Sequence, residues 1–485
     1  MAEKQEHSAE QEPKVVTISP VTRIEGHARI SIFLDEQDRV ADARLHIEEF
    51  RGFEKFCEGR LFVEMPSITQ RICGICPISH HLASIKAGDQ IIGATIPPAA
   101  RLTRELIHVG QVSQSHALSF FHLSAPDLLL GFDADPAVRN IMGLIEHFPD
   151  IARKGVQLRK YGQKIIEAIA GRRIHPTFGV PGGVNHQVTE EMRERLKEGL
   201  DEALEIAHFA LDLFKDYYLA HREEVHEFAN FPTAYLGLVR EDGALELYDG
   251  FLRLVDANGE ILEEKVDPTH YLDFIAEAVE PWTYLKFPFY RKRGYPEGIY
   301  RVGPLARLNV CDFISTPQAE QARQEFFELV GTKPVHGSFF YHYARLIEII
   351  YALERAGEIL NTPELTDEEI LVVGPVVNER GVGVIEAPRG VLIHDYHVDR
   401  NGVLQKVNLV VSTGHNNLGM NRAVQMIAKK YVDGRRLQEG MLNRVEAAVR
   451  CYDPCLSCST HALGQMPLRI ELYDAHGALI QTLER

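Results

Sequence analysis

The sequence predicts an α+β fold: a large, intertwined and mainly helical core with small peripheral β-sheets. Three observations carry this. Short apolar, β-branched segments lie near both ends, two long stretches in the middle carry apolar residues at helical spacing, and nothing between them resembles a linker.

Val15 to Ser19, Ala28 to Leu34 and Val40 to Ile47 alternate or run apolar between turn-like Glu25-Gly26 and Asp35-Glu36-Gln37-Asp38, which predicts a small N-terminal sheet. From about Ser67 the pattern turns helical, with apolar residues three and four apart over Leu102–Phe121 and Met192–Phe228. Thr189 before Glu190 and Glu191 supplies a start for the second helix. Residues 234–265, around Asp242-Gly243 and Asn258-Gly259, read as a hairpin region. A long helix is expected over Tyr341–Leu360, and strands return at Gly383–Ile385, Val391–His394 and Val407–Val411. Helices follow at Asn421–Tyr431 and Leu442–Cys451, and a final hairpin pairs Leu468–Leu472 with Ala478–Leu483.

A chain of 485 residues would suggest about three domains, but without a linker residues 14–461 are expected to form a single unit. Residues 1–13 are polar and acidic, lack the apolar core of a signal peptide, and read as a disordered tail. No apolar run approaches the ~20 residues that cross a bilayer. A net charge of −17 would repel nucleic acid and anionic membranes, so neither is expected as a partner.

Four of the seven cysteines form two Cys-x-x-Cys pairs, Cys73 with Cys76 and Cys455 with Cys458. Two intervening residues let both sulfurs chelate one ion, and Gly74 permits close backbone approach. Four thiolates suit zinc, nickel or clustered iron, and on the cysteines alone structural zinc leads. Haem attachment fits poorly, because Pro77 and Ser459 stand where a histidine should follow. Zinc ribbons, however, bring their pairs together over ~15–20 residues, whereas nearly the whole chain separates these. A metal joining both ends of a fold favours a functional centre. Cys57, Cys311 and Cys451 have no pairing pattern and are expected to be buried thiols; reduced thiols of this kind fit the cytoplasm.

The flanking residues add a resemblance. Arg71-Ile72-Cys73-Gly74-Ile75-Cys76-Pro77-Ile78-Ser79-His80 and Asp453-Pro454-Cys455-Leu456-Ser457-Cys458-Ser459-Thr460-His461 are similar to the two metal-binding motifs of [NiFe] hydrogenase large subunits. Further matches are Val21-Thr22-Arg23-Ile24-Glu25-Gly26-His27, Arg51-Gly52-Phe53-Glu54, Arg301-Val302-Gly303-Pro304-Leu305 and Glu386-Ala387-Pro388-Arg389-Gly390. The resemblance spans roughly residues 14–485 and implies the fold shared by those subunits and the related complex I subunit.

It also implies roles. Cys73 and Cys455 would be terminal ligands of nickel, and Cys76 and Cys458 would bridge nickel to an iron carrying cyanide and carbon monoxide. Dihydrogen would be split heterolytically, its proton passing to a terminal thiolate and then to Glu25; a carboxyl that can rotate suits that relay. Arg389 would overhang the open metal position, Thr413 would hydrogen-bond a cyanide, and His80 a bridging sulfur. Glu54, His461 and the carbonyl of Leu409 would hold a remote magnesium (or iron) ion, a hard oxygen-rich set suited to it. His27, His81 and His116 are expected to be structural. In this family an endopeptidase cuts after the motif histidine once nickel-insertion proteins have acted, so Ala462–Arg485 would be a removable extension.

The Pro77-Ile78-Ser79-His80-His81-Leu82-Ala83 segment and the runs at 49–56, 301–310 and 460–468 most resemble the bidirectional, NAD-linked cytoplasmic subgroup. There a small iron–sulfur subunit passes electrons to a flavin diaphorase module. This chain has neither a dinucleotide-binding glycine motif nor a spare cysteine set, so iron–sulfur clusters and flavin belong on partners. A ferredoxin-dependent bifurcating enzyme and a hydrogen-sensing regulatory subunit remain as alternatives. A respiratory complex I subunit would lack the four thiols.

Overall fold

The structure is a computed structural model that describes residues 14–50 and 52–460, together with the backbone of strands Arg469–Tyr473 and Leu479–Glu484. The expected N-terminal tail, Arg51 and His461 lie outside the described residues, as does most of the expected C-terminal extension.

The N-terminal sheet forms as expected: Val15–Ile18, Ala28–Leu34 and Val40–Ile47 pair antiparallel in sequence order. Ile30, Ile32 and Leu45 drive it by complete burial. Pro98 opens the next long helix, Pro98–Leu118, where its fixed φ and missing N–H cost nothing. The helix then runs on as a π-helical turn, Ser119–Ser124, past the expected end.

The single helix expected over Met192–Phe228 is three: Glu190–Lys197, Leu200–Ala220 and Arg222–Glu227. Gly199 makes the first break, at φ +85, because a residue without Cβ adopts the left-handed conformation cheaply. The start is as predicted, with Thr189 Oγ1 accepting from the Met192 amide at 3.2 Å.

Residues 234–265 supply Ala234–Val239, Phe251–Val255 and part of Ile261–Val266, joined by parallel Tyr300–Arg301 into a four-stranded sheet. Strands Arg380–Ala387, Gly390–Val398 and Leu404–Val410 form an antiparallel meander. Helix Pro77–Ile91 lies directly on its first strand, so close that a Cβ on Gly383 would stand 1.8 Å from the Ala83 carbonyl oxygen. At the C-terminal end Arg469–Tyr473 pairs antiparallel with Leu479–Glu484, the expected hairpin.

Helix Phe340–Leu360 is buried on nearly every face and packs beside Pro98–Leu118 in the centre of the molecule. Among the described residues the larger of two apolar clusters extends from Ile18 to Cys458, and the smaller lies between the four-stranded sheet and the meander. The two ends of the chain are locked together across the larger one. The Thr22 amide donates to Glu446 at 2.6 Å, Arg23 donates to Asn443 Oδ1 at 3.1 Å, and Arg450 donates to the Thr22 carbonyl at 3.1 Å. That latch brings the segment carrying Glu25 against the segment carrying Cys455.

Candidate metal centre

Each cysteine is placed by its own local structure. Cys73 is extended after the 3₁₀ turn Gln70–Ile72, and its sulfur accepts from the amides of Ile75 at 3.2 Å and Cys76 at 3.3 Å. Cys76 caps helix Pro77–Ile91, where the positive end of the helix dipole favours a thiolate. Cys455 enters the 3₁₀ turn that contains Cys458. Its amide donates to Thr413 Oγ1 at 2.9 Å.

These turns converge. The sulfurs of Cys73 and Cys455 are 3.1 Å apart, those of Cys76 and Cys458 3.6 Å, and those of Cys455 and Cys458 2.7 Å. All four lie within 4.8 Å of one another and are buried. A tetrahedral ion at a metal–sulfur distance of ~2.3 Å needs sulfurs about 3.8 Å apart, so the set fits a chelated soft metal. The electrostatics agree. Burial raises every thiol, yet hydrogen bonds from the other cysteines, with Arg389 nearby, take Cys73 well below the usual value. Burial pushes Cys455 and Cys458 well above it, and Cys76 is also raised. Several thiolates cannot share this dry space without a cation, and a bound metal supplies one.

A small cavity opens on one side of the cluster, lined by Cys76, Cys455, Cys458, His80, Arg389, Ser412 and Thr413 with apolar Ala387, Pro388, Leu392 and Val411. Cys73 is not among its walls. Cys455 and the second cysteine of each pair therefore face a pocket large enough only for small groups, with Arg389, Thr413, Ser412 and His80 set among the apolar side chains.

Arg389 occupies the turn between strands Arg380–Ala387 and Gly390–Val398. Its guanidinium donates to the Asp453 carbonyl, lies 3.0 Å from Asp453 Oδ2, and reaches Ser115 Oγ at 3.5 Å. Burial disfavours its charge, but Asp453 and the surrounding thiolates raise its pKa, so it remains a cation. Asp453 itself is held at φ +51, two residues before Cys455, a strained conformation for a non-glycine residue.

Glu25 lies beside the second motif, its carbonyl accepting from the Leu456 amide at 3.1 Å in a bridge with Cys455. Its carboxylate accepts from the Ser457 amide at 3.2 Å and from the Ser457 hydroxyl. Burial first, then the negative charge on Cys73, raises its pKa, against the Ser457 and Cys455 hydrogen bonds. His80 Nδ1 stands 3.2 Å from His394 Nε2, whose ring in turn meets the Tyr396 hydroxyl at 2.7 Å. Burial pushes His80 down to about 4, so its ring is neutral at physiological pH.

Glu54 and Leu409 meet away from the cluster, the Leu409 amide donating to Glu54 Oε1 at 2.9 Å. Their contact therefore runs through the Leu409 amide rather than its carbonyl. Burial raises the Glu54 pKa and Lys286 opposes it. The Thr460 carbonyl accepts from the Gly52 amide at 3.2 Å, so the chain leading to His461 arrives close to this carboxylate.

Of the histidines expected to be structural, His81 has both ring nitrogens at carbonyls, Pro66 at 2.9 Å and Gly179 at 3.0 Å, while His116 meets Glu348 at 2.8 Å and His27 meets Glu49 at 2.6 Å. Burial raises Cys57 and Cys451 to about 12 and Cys311 to about 11, so these remain neutral thiols. Sequence reasoning assigned no role to Asp453, Ser457, Ser115 or His394. Asp453 and Ser457 stand inside the second cysteine motif, which was signal enough to consider them. Ser115 carried no signal of its own.

Comparison with known proteins gives a consistent result. The family described as nickel-dependent hydrogenase matches residues 51–137 and 238–461, and one described as HoxL-like matches 15–50. The chain is 43% identical to the NAD-reducing hydrogenase HoxS subunit beta of Cupriavidus necator, over 97% of this chain and 99% of that one. It is 46% identical to a vhu subunit of the F420-non-reducing hydrogenase of Methanocaldococcus jannaschii, over 85% of this chain and 98% of that one. A solved NAD+-reducing [NiFe]-hydrogenase in its H2-reduced state superposes with a TM-score of 0.90 at 47% identity, covering 92% of this chain and 99% of that one.

Proposed function

The chain belongs to the nickel-dependent hydrogenases as a [NiFe] catalytic large subunit, and from that premise we propose how its own residues carry out the interconversion of dihydrogen with protons and electrons. The observation that carries the reading is the convergence of four buried sulfurs beside a small cavity walled by three of them, Cys76, Cys455 and Cys458.

When bound, the nickel–iron centre supplies two adjacent soft metals that polarise dihydrogen for heterolytic cleavage. Cys73 and Cys455 would hold nickel as terminal thiolates and Cys76 and Cys458 would be the bridging ones, with the adjoining cavity available to the small cyanide and carbonyl ligands of iron. Thr413 Oγ1 already accepts from the Cys455 amide, which leaves its hydroxyl proton to donate into that space. Arg389 offers a fixed cation from the same wall. His80, neutral and tied to His394 through Nδ1, would offer its other nitrogen to a bridging sulfur. Glu25 takes the proton from a terminal cysteine and hands it outward by way of the Ser457 hydroxyl.

Glu54, the Leu409 carbonyl and His461 would hold the remote magnesium (or iron) ion. Electrons leave through a small iron–sulfur subunit to a flavin and NAD module, a reading supported by the similarity to the NAD-reducing enzyme of Cupriavidus. A different acceptor is a second reading, favoured by the 46% identity to part of an F420-non-reducing enzyme. We also place the enzyme in the cytoplasm; among the described residues no helix is long and apolar enough to cross a membrane. The family match ends at residue 461, which supports proteolytic maturation at His461–Ala462.

Metal analysis with infrared spectroscopy of the purified complex tests the centre. Nickel with cyanide and carbonyl bands is expected; stoichiometric zinc alone in active protein would refute it. Offering the complex NAD, NADP or ferredoxin under hydrogen separates the acceptor readings.

A further inference from the structure

Two segments that stood out in the sequence meet in the structure: Arg301 to Val310, and Glu386-Ala387-Pro388-Arg389-Gly390. Ala387 and Gly390 pair across the end of the meander, leaving Pro388 and Arg389 as a two-residue tip. Arg307, on helix Pro304–Val310, reaches this tip from below.

Every N–H of Arg307 is used. Nε donates to Glu348 Oε1 at 2.6 Å, Nη1 to Glu386 Oε2 at 2.7 Å and to the Ala387 carbonyl at 3.0 Å, and Nη2 to Glu348 Oε2 at 2.5 Å and to the Pro388 carbonyl at 3.2 Å. The two carbonyls so captured are those immediately before Arg389. The two glutamates hold the fork itself in place, Glu348 from the central helix and Glu386 from the strand that leads into the tip. The three side chains are essentially fully buried. The other side of the tip is clasped by backbone. A Cβ on Gly303 would stand 2.8 Å from the Arg389 carbonyl oxygen, and one on Gly390 would stand 2.3 Å from a Val302 methyl.

We propose that Arg307 is a positioning residue that fixes where the Arg389 guanidinium stands over the metal cavity. This rests on the proposed action of Arg389 on the bound centre. The Arg389 side chain has few anchors of its own, Asp453 and a long contact to Ser115, so its placement follows the backbone that carries it. An ion pair with two glutamates needs only a charge. Capturing two successive carbonyls as well needs the planar, five-donor fork of arginine, which lysine cannot reproduce.

The test uses the assembled, metal-loaded complex with Arg307→Lys, Arg389→Lys and the double variant. It reads deuterium–proton exchange, nickel content and the infrared bands of the diatomic ligands. With nickel retained, Arg307→Lys is expected to lower exchange about 10–100-fold, as a small misplacement of a catalytic group does. It should also shift the bands in the same direction as Arg389→Lys. The double variant should be no slower than Arg389→Lys alone, because one residue acts through the other. Unchanged exchange with unmoved bands in Arg307→Lys, or losses that multiply in the double variant, would overturn the proposal. If Arg389→Lys itself leaves exchange unchanged, the role of Arg389 fails, and the bands alone decide whether Arg307 places it. Should Arg307→Lys not assemble, Glu348→Gln loosens the same fork more gently; a smaller band shift of the same sign is expected, and unmoved bands refute it.

Discussion

Glu25→Gln is the sharpest perturbation of the proton path. Glutamine keeps the size of the side chain and one acceptor oxygen but cannot take up a proton. In the structure the carboxylate accepts from the Ser457 amide at 3.2 Å and from the Ser457 hydroxyl. The amide oxygen can retain one of these, so the structural cost is that of one weakened hydrogen bond, about 1 kcal/mol. That is too little to unlatch a segment also held by the Leu456 amide on the Glu25 carbonyl at 3.1 Å. The catalytic cost is larger. A positioned acid–base group contributes roughly 10²–10⁴-fold, or about 3–5 kcal/mol in the barrier. Chemistry should therefore fail while folding and metal loading survive. Mass-spectrometric deuterium–proton exchange, normalised to nickel per chain, measures this. Full nickel with exchange at the level of the parent would exclude Glu25 as the main relay. Glu25→Asp keeps a carboxyl but withdraws it by about 1.5 Å, and an intermediate rate is expected.

Two further predictions follow from packing and charge. Gly383→Ala puts a Cβ 1.8 Å from the Ala83 carbonyl oxygen, between a helix and a strand that cannot both retreat; overpacking of this kind costs about 1–3 kcal/mol, so the thermal midpoint should drop, and an unchanged midpoint would show that the helix–sheet contact is looser than the structure has it. Burial raises Glu348, yet Arg307 and His116 hold it down at about 2, below its usual 4.5. A carboxylate depressed on folding stabilises the native state above its unfolded pKa and loses that contribution as pH falls toward the native one, here on the order of 3 kcal/mol. Thermal midpoints taken from about pH 6 down to pH 3 should fall less steeply in Glu348→Gln than in the parent, and parallel curves would refute the assignment.

The reach of the sequence depended on how local each feature is. Strands Ala28–Leu34 and Val40–Ile47 were legible residue by residue, because alternation and a four-residue turn are short-range signals. The helix of residues 340–360 was legible because its periodicity is long. The three-way split of residues 190–227 was missed although Gly199 was visible, since apolar spacing continues across it in phase. Asp453 and Ser115 were missed as partners of Arg389 for another reason: their contacts span 64 and 274 residues, and no local pattern encodes them.

By itself the sequence determined which side chains can be ligands and how each pair chelates, because a Cys-x-x-Cys turn fixes two sulfurs on one side regardless of the rest of the fold. Only the tertiary structure decided that the pairs meet, first cysteine to first and second to second, with the cavity on the side of Cys76, Cys455 and Cys458. It also decided that Glu25, Arg389 and Thr413 stand around them, through a latch between the two chain ends and a hairpin tip held by Arg307. The physical reason is burial. Thiols, a carboxylate and a guanidinium spread along a chain in water influence one another weakly, whereas in a dry interior each shifts the charge of its neighbours.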